Sequence, residues 1–206
     1  MEDKEIYTEL NSIRSLMERS AKVISLSGLS GIMAGMYALI GAGSGYYIVY
    51  GPQGGLGRRD YYITENEIFY KLFFIAVAVL ALSLTTGIWL TIRKAARKGQ
   101  RVWNPASKKL LFNMAIPLIT GGLFILIVLF RGYYGIVAPA CLIFYGLSLV
   151  SAGHYTYDDV KWLGFLQIIL GLMATLLPGY GIVFWTIGFG LLHIIYGSIM
   201  HFKYDR

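Results

Sequence analysis

The sequence predicts an all-α, polytopic membrane protein: six transmembrane helices arranged as three hairpin repeats, preceded by a cytoplasmic amphipathic helix. Of the 206 residues, 56% are hydrophobic and only 14% are charged, whereas a soluble domain carries about 25% charged residues. Six segments are apolar over roughly 20 residues, the length that a membrane-spanning helix needs. A cluster of basic residues, without an acidic one, separates two of these segments.

The first 22 residues are charged and predict a helix outside the membrane. Ile6, Leu10, Ile13 and Met17 recur in steps of three and four residues, which gives a heptad-like apolar stripe. Such a helix either binds a protein partner or a second copy of the chain, or rests on the cytoplasmic face of its own bundle. The second interpretation is favoured because the stripe is short. Residues 1–22 therefore form one unit and residues 23–202 form the transmembrane domain.

The transmembrane domain contains six predicted spans of mostly apolar sequence. They are residues 23–49, 69–92, 110–130, 133–152, 160–178 and 182–200. The connections on one side are a longer loop, a tight turn and a Pro-Gly turn, at residues 50–67, 131–132 and 178–181. The connections on the other side are the basic loop at residues 93–109, a turn at residues 153–159 and the C-terminal tail.

The basic loop orients the chain in the membrane. Its basic residues are Arg93, Lys94, Arg97, Lys98, Arg101, Lys108 and Lys109. Short loops rich in lysine and arginine stay on the cytoplasmic side, where the anionic inner leaflet attracts them. We therefore predict a multi-pass protein of a bacterial inner membrane, with both termini in the cytoplasm. The same side chains are expected to contact anionic lipid headgroups.

Charge and motif content argue against several other classes of protein. The formal charge of +7 resides in the basic loop, since the 11 basic residues elsewhere equal the 11 acidic residues in number. Nucleic-acid binding is therefore not expected. Cys141 is the only cysteine, which excludes a disulfide framework. No nucleophile–base motif or phosphate-binding loop is recognisable, so the sequence predicts neither an enzyme nor a bound cofactor.

Glycines predict where the helices pack. Helices in lipid associate through close van der Waals contact, which small side chains allow. The glycines expected at such contacts are Gly28, Gly31, Gly35, Gly164, Gly171, Gly190 and Gly197.

The glycines also suggest that one helical hairpin occurs three times. The first and fifth spans align without a gap, with Gly28, Ile32 and Gly35 at the positions of Gly164, Ile168 and Gly171. In the even-numbered spans, Gly87, Gly146 and Gly197 occupy comparable positions. The outer ends of the odd-numbered spans share a signature: Gly45-Tyr46-Tyr47-Ile48-Val49, Gly132-Tyr133-Tyr134-Gly135-Ile136-Val137 and Gly179-Tyr180-Gly181-Ile182-Val183.

The last hairpin, residues 160–200, resembles the repeated unit of the HdeD-like acid-resistance membrane proteins. The resemblance lies in the spaced glycines of the fifth span, the turn Leu176-Leu177-Pro178-Gly179 and the return helix from Gly190 to Gly197. Members of that family are small six-helix proteins of the bacterial inner membrane. The closing stretch also looks like that of uncharacterised bacterial membrane proteins. The resemblance implies this architecture and a stress-related role, and it supplies no catalytic residues.

His193, in the middle of the sixth span, is the titratable side chain expected inside the bundle. One interpretation is a neutral imidazole bonded to a hydroxyl group, such as that of Thr86 or Ser148, or to a backbone carbonyl. The other is a pH-sensing residue, because histidine changes its charge between about pH 5 and 8. Together with Gln167, His193 is also the candidate to line a passage for a ligand or solute.

A metal site is a further candidate at the cytoplasmic ends of the helices. His154, Asp158 and His201 supply two imidazoles and a carboxylate, ligands that suit zinc or a similar divalent ion. These residues would have to converge from the fourth, fifth and sixth spans.

The leading functional hypothesis is a non-enzymatic scaffold or stress-related factor of the inner membrane. Its partners would be membrane lipids, with anionic headgroups at the basic loop, and a protein or second copy at the N-terminal helix. The first alternative is a small channel or carrier for a neutral or apolar solute. The second is a membrane enzyme or metal site at the cytoplasmic face. A scaffold predicts a dry interior. A channel or carrier predicts a cavity that reaches His193, and an enzyme or metal site predicts that the metal ligands converge.

Overall fold

The computed structural model describes Tyr7, residues 27–51, 66–97, Gly99 and residues 102–205. Six helices in this part are long and apolar enough to cross a membrane, as expected for a multi-pass membrane protein. They are α1 (Gly28–Tyr50), α2 (Asn66–Arg97), α3 (Pro105–Phe130), α4 (Val137–Ala152), α5 (Asp158–Leu176) and α6 (Gly181–Tyr204). The prediction of six spanning helices is thereby confirmed. The predicted helix at residues 1–22, apart from Tyr7, lies outside the described residues.

Consecutive helices run in opposite directions and define two ends of the bundle. The basic end holds the last turn of α2, the first turns of α3, the α4–α5 turn and the last turn of α6. The tyrosine end holds the α3–α4 and α5–α6 turns, where Tyr133 and Tyr180 are exposed. Gly132 and Gly179 have φ of 80° and 92° in these two turns, a conformation that glycine adopts readily.

The basic loop is shorter than predicted. Helix α2 continues to Arg97 and α3 begins at Pro105, so that only residues 98–104 connect them. The start of α3 is fixed locally: Asn104 Oδ1 accepts a hydrogen bond from the Ser107 backbone N at 2.8 Å, and proline occupies the first helical position. Most basic side chains of this region therefore project from helix ends.

The helices do not pack as three separate hairpins placed in a row. Helices α1 and α2 pack together, as do α3 and α4, but α5 packs mainly on α4, and α6 mainly on α1. Helices α2 and α3 follow each other in sequence, yet they have almost no contact with each other among the described residues. The physical reason lies in the glycines.

Helices α1 and α6 approach until their backbones touch. A methyl group built on Gly197 would lie 2.5 Å from Ile32 N and 2.6 Å from Gly28 O. One built on Gly35 would lie 2.6 Å from Gly190 O, and one on Gly31 would lie 3.0 Å from the Cα of Gly197. Only glycine permits this separation of the two helices.

Helices α4 and α5 make a second contact of the same kind. A methyl group on Gly146 would lie 2.7 Å from Gly164 O, and one on Gly171 would lie 3.0 Å from both Ile143 N and Pro139 O. The two glycine contacts hold α1, α6, α4 and α5 together as the tightly packed part of the bundle.

Helix α6 is not a regular α-helix along its length. A π-helical stretch, Thr186–Leu192, follows the first turns at Gly181–Trp185, and a second one, His201–Asp205, follows His193–Met200. The sequence predicted an uninterrupted span here. π-Helical turns are rare and occur frequently at functional sites, and the first of these stretches carries the buried polar residues of the bundle.

Candidate functional site

Polar side chains from α5 and α6 bond to one backbone carbonyl of α6, and a hydroxyl from α4 bonds to one of them. The oxygen of Gly188 accepts hydrogen bonds from His193 Nδ1 and Gln167 Nε2, each at 2.9 Å. The Tyr145 hydroxyl lies 2.8 Å from His193 Nε2. Gln167 is 0% exposed and His193 is 6% exposed. We call Tyr145, Gln167, Gly188 and His193 the buried polar cluster; it joins α4, α5 and α6.

The hydrogen bonds of this cluster assign the tautomer of His193. A carbonyl oxygen can only accept, so Nδ1 carries a proton and donates it to Gly188 O. In the neutral ring Nε2 is then an acceptor, and the hydroxyl of Tyr145 donates to it. Both ring nitrogens are thus satisfied within the bundle, which removes the cost of burying them.

The hydroxyl groups first considered as partners of His193 are engaged elsewhere. Thr86 Oγ1 lies 3.2 Å from the hydroxyl of Tyr37, and Ser148 Oγ donates to Met114 O at 3.1 Å. The backbone-carbonyl alternative matches the structure, with Tyr145 as the hydroxyl partner. A tyrosine in the middle of an apolar span was the sequence signal that could have identified it, because a buried hydroxyl needs a hydrogen-bond partner.

The π-helical stretch and its glycine create the space for this arrangement. A methyl group on Gly188 would lie 2.6 Å from Gln167 Oε1 and would also meet Leu142. The amide of Gln167 can therefore reach the α6 backbone only where a glycine stands. Its Oε1 atom is buried and accepts no hydrogen bond in the described part of the chain.

Aromatic rings enclose the cluster on the side of α6. Phe189 lies 5.8 Å from His193 and 5.1 Å from Tyr145 between ring centroids, and Trp185 continues the stack at 5.1 Å from Phe189. These rings shield the polar groups from the membrane interior. The geometry suits a hydrogen-bonded core that fixes three helices, with both imidazole nitrogens engaged.

A small recess occurs elsewhere, between the start of α4 and the end of α5. It has a volume of about 30 Å³ and is lined by Gly135, Ile136, Pro139, Ala174 and Thr175. Space of this size holds a water molecule or two. Neither His193 nor Gln167 lines it.

The predicted metal site is not assembled. Among the residues that the structure describes, no group of three His, Cys, Asp or Glu side chains could hold a metal ion. Asp158 pairs with Lys161 at 3.2 Å and His154 is exposed in the α4–α5 turn. The backbone of His201 packs against Gly28 of α1. His154, Asp158 and His201 are thus not brought together as a three-ligand group in the described residues.

Positive charge is concentrated on the facing ends of α2 and α3. The basic rim consists of Arg93, Lys94, Arg97, Lys108 and Lys109. Lys98 and Arg101, the other basic residues predicted to bind headgroups, lie outside the described residues. All members of the rim except Lys94 are exposed, and these four pair with no acidic side chain within the described ranges.

Two tryptophans accompany the basic rim. The guanidinium of Arg93 lies 5.4 Å from the ring centroid of Trp89, and the Lys108 ammonium lies 5.9 Å from that of Trp103. Both rings are exposed, at 57% and 62%. Tryptophan favours the headgroup level of a bilayer, so these rings mark the depth at which the rim meets the membrane surface. Sequence reasoning did not single them out.

Acidic side chains at the start of α5 are paired with lysines. The Asp159 carboxylate accepts hydrogen bonds from Lys203 at 3.1 Å and from the Tyr204 hydroxyl at 2.9 Å. The ring of Tyr204 also stacks on Tyr157, with centroids 3.8 Å apart. These contacts tie the start of α5 to the end of α6, and they leave the positive charge of this end at α2 and α3.

Comparison with family models, curated proteins and solved structures finds no match to this chain. The resemblance to the HdeD-like proteins therefore stays a prediction from the sequence pattern.

Proposed function

We propose that this protein is a non-enzymatic scaffold of the bacterial inner membrane, which binds anionic lipid headgroups through its basic rim. The observation that carries this proposal is the set of exposed cations at the ends of α2 and α3, which have tryptophans beside them and no acidic partners in the described residues. Anionic headgroups attract each such cation with roughly 1 kcal/mol near the surface. A role as a stress-related factor follows from the resemblance to HdeD-like proteins alone.

The interior of the bundle supports a scaffold over a carrier or an enzyme. His193 and Tyr145 satisfy each other, and aromatic rings enclose them. The hydrogen-bonding capacity of the cluster is directed toward holding α4, α5 and α6 together. The surfaces left for recognition are then the two ends and the lipid-facing sides of α2 and α3. The predicted helix at residues 1–22 remains a candidate for a protein partner or a second copy.

We also propose that the bundle consists of three repeats of one hairpin. The α1–α6 and α4–α5 contacts support this, because aligned residues play the same part in both. Gly197 meets Gly28 and Ile32 as Gly146 meets Gly164 and Ile168. Three hairpins would have three interfaces with one another. The α1–α6 and α4–α5 interfaces would be equivalent, and the third would lie between α2 and α3.

Thiol labelling tests the proposed orientation at the two ends of α4. Arg131 and His154 are exposed in the turns that precede and follow this helix. In a Cys141→Ala background, we expect a membrane-impermeant thiol reagent to label Arg131→Cys on intact cells. His154→Cys should react only after the membrane is permeabilised. The reverse pattern would place the basic end outside and contradict the proposal.

Quenching of tryptophan fluorescence tests headgroup binding. Variants that retain only Trp103 or only Trp162 are reconstituted in phosphatidylcholine vesicles with brominated phosphatidylglycerol or brominated phosphatidylcholine. Trp103 should prefer the anionic lipid by roughly fivefold, as about 1 kcal/mol per nearby cation requires, and high salt should reduce the preference.

Trp162 is the matched control for this experiment. It is 68% exposed near the start of α5, but its neighbour Lys161 is paired with Asp158. We expect the same quenching by both lipids at Trp162. Equal quenching by both lipids at Trp103 as well would mean that the rim does not select anionic lipid, and the proposed function would then fail.

A further inference from the structure

Helices α2 and α3 border a gap whose two ends are bounded. At the basic end, residues 98–104 connect the helices directly. At the tyrosine end, Phe69 of α2 contacts Tyr134 of the α3–α4 connection, with ring centroids 5.6 Å apart. Between these points the two helices have almost no contact within the described residues. We call the gap the α2–α3 seam.

The hairpin alignment identifies the residues that would meet if this seam closed like the other two interfaces. On α2 they are Leu80, Leu84 and Gly87, at the positions of Pro139, Ile143 and Gly146 in α4. On α3 they are Leu118, Gly122 and Ile125, at the positions of Gly164, Ile168 and Gly171 in α5.

Two substitutions in this pattern explain why the seam stays open. Leu118 and Ile125 replace the glycines that let α4 touch the backbone of α5, so α2 cannot approach α3 as closely. Leu80 and Leu118 remain 59% and 37% exposed. A methyl group built on Gly122, which is partly exposed, would meet no atom within 4 Å. The seam is therefore an apolar groove with space beside Gly122.

The charges at the two ends of the seam differ. Lys71, near the tyrosine end, forms an ion pair with Glu67 at 2.7 Å. At the basic end, Lys94 lies two helical turns beyond Gly87, and Lys108 lies about four turns before Gly122, so both project on the seam side of their helices. Lys109 precedes Gly122 by about three and a half turns and projects from the opposite side of α3. The exposed ammonium of Lys108 thus stands over the basic end of an apolar groove.

From this combination we infer that the α2–α3 seam binds one anionic phospholipid of the leaflet at the basic end. Its phosphate binds Lys108, and an acyl chain fills the groove beside Leu84 and Gly122. This inference rests on the proposed function. The proposed function is a general attraction of anionic headgroups to the rim, and the inference adds one site that binds one lipid per chain. Lys108 selects the headgroup, and the missing glycine contact provides room for the chain.

Native mass spectrometry of the full chain tests this inference. Protein purified in detergent is titrated with phosphatidylglycerol and, separately, with phosphatidylcholine. The wild type should retain one phosphatidylglycerol per chain under conditions that strip phosphatidylcholine. Lys108→Gln should weaken retention by roughly fivefold. Lys71→Gln, which removes a lysine outside the rim at the tyrosine end of the seam, should leave it unchanged.

A second pair of variants tests the acyl-chain part of the site. Gly122→Phe fills the groove and should abolish retention. Gly43→Phe is the matched control, because Gly43 lies on α1 and likewise has no atom within 4 Å of a built methyl group. Retention by Gly122→Phe equal to that of the wild type would overturn the inference, as would equal losses in Lys108→Gln and Lys71→Gln.

The outcomes separate this inference from the proposed function. If Trp103 still prefers brominated phosphatidylglycerol but no single lipid is retained, the rim binds headgroups without a seam site, and only the inference fails. If both signals are absent, both fail. A dimer without bound lipid would assign the seam to a second copy of the chain and would also overturn the inference.

Discussion

Gly197→Ala and Gly146→Ala are expected to destabilise the bundle strongly. In each variant the new methyl group would lie 2.5–2.7 Å from backbone atoms of the facing helix. Backbone atoms cannot rotate away, so the α1–α6 or α4–α5 pair must separate along its length. Overpacking of this kind costs about 1–3 kcal/mol. The measurement is thermal unfolding of purified protein in detergent, followed by the loss of monodisperse material.

Gly43→Ala and Gly122→Ala are the controls, and they should change stability in the opposite direction. Both glycines lie inside apolar helices, and neither has an atom within 4 Å of the added methyl group. Alanine is the better helix former by about 1 kcal/mol, so these variants should be neutral or slightly stabilised. If all four variants shifted the midpoint of unfolding alike, close glycine packing would not be what holds the helices together.

His193→Ala is expected to have the second large effect, on the buried polar cluster. The substitution removes a ring that bonds to both Gly188 and Tyr145, and it leaves the tyrosine hydroxyl without its acceptor. Loss of a buried side chain of this size, together with an unsatisfied hydroxyl, costs about 2–4 kcal/mol. Tyr145→Phe removes only one hydrogen bond and should cost about 1–3 kcal/mol, because Nε2 is then buried without a donor.

A double-mutant cycle shows whether the two residues act as one unit. Because they share a hydrogen bond, the loss in the double variant should be smaller than the sum of the single losses by about 0.5–3 kcal/mol. Additive losses would contradict the contact. His193→Asn is a useful comparison, since its amide can still donate to Gly188 and should recover part of the stability. In folded His193 variants, the lipid preference at Trp103 should be unchanged, as a structural role for His193 requires.

The candidate sites were only partly predictable from the sequence. His193 and Gln167 were identified because polar groups within apolar spans are few, and both proved to bond to the same carbonyl. Their hydroxyl partner was not identified, because any tyrosine, serine or threonine on a facing helix would have served equally well. A similar limit applies to His154, Asp158 and His201: they lie at one end of the bundle, but they form no three-ligand group among the described residues.

The sequence predicted the cluster of charges in the basic rim, but it did not predict where on the helices the side chains lie. The sequence located its lysines and arginines, and it assigned them to a loop. Helix capping by Asn104 and the extension of α2 to Arg97 instead place most of them on helix sides. Once these residues are placed on helices, Lys108 and Lys109 project from different sides of α3, and Lys94 lies on the same side of α2 as Gly87. The seam between α2 and α3 could be recognised only once the other two glycine contacts were located.

The sequence by itself determined the number, approximate extent and order of the spanning helices. The reason is physical: without water in the hydrocarbon core, each segment must satisfy its backbone groups internally, so apolar composition and length are enough to define a helix. Which helices become neighbours was decided by the tertiary structure. Every helix is apolar on all sides, and lipid is as apolar as a neighbouring helix, so composition does not rank the possible pairs. The shape of the helix surfaces decides which pairs form. Helix α6 packs on α1, and α5 packs on α4, where glycines let the backbones touch. Bulky Leu118 and Ile125 leave α2 and α3 apart.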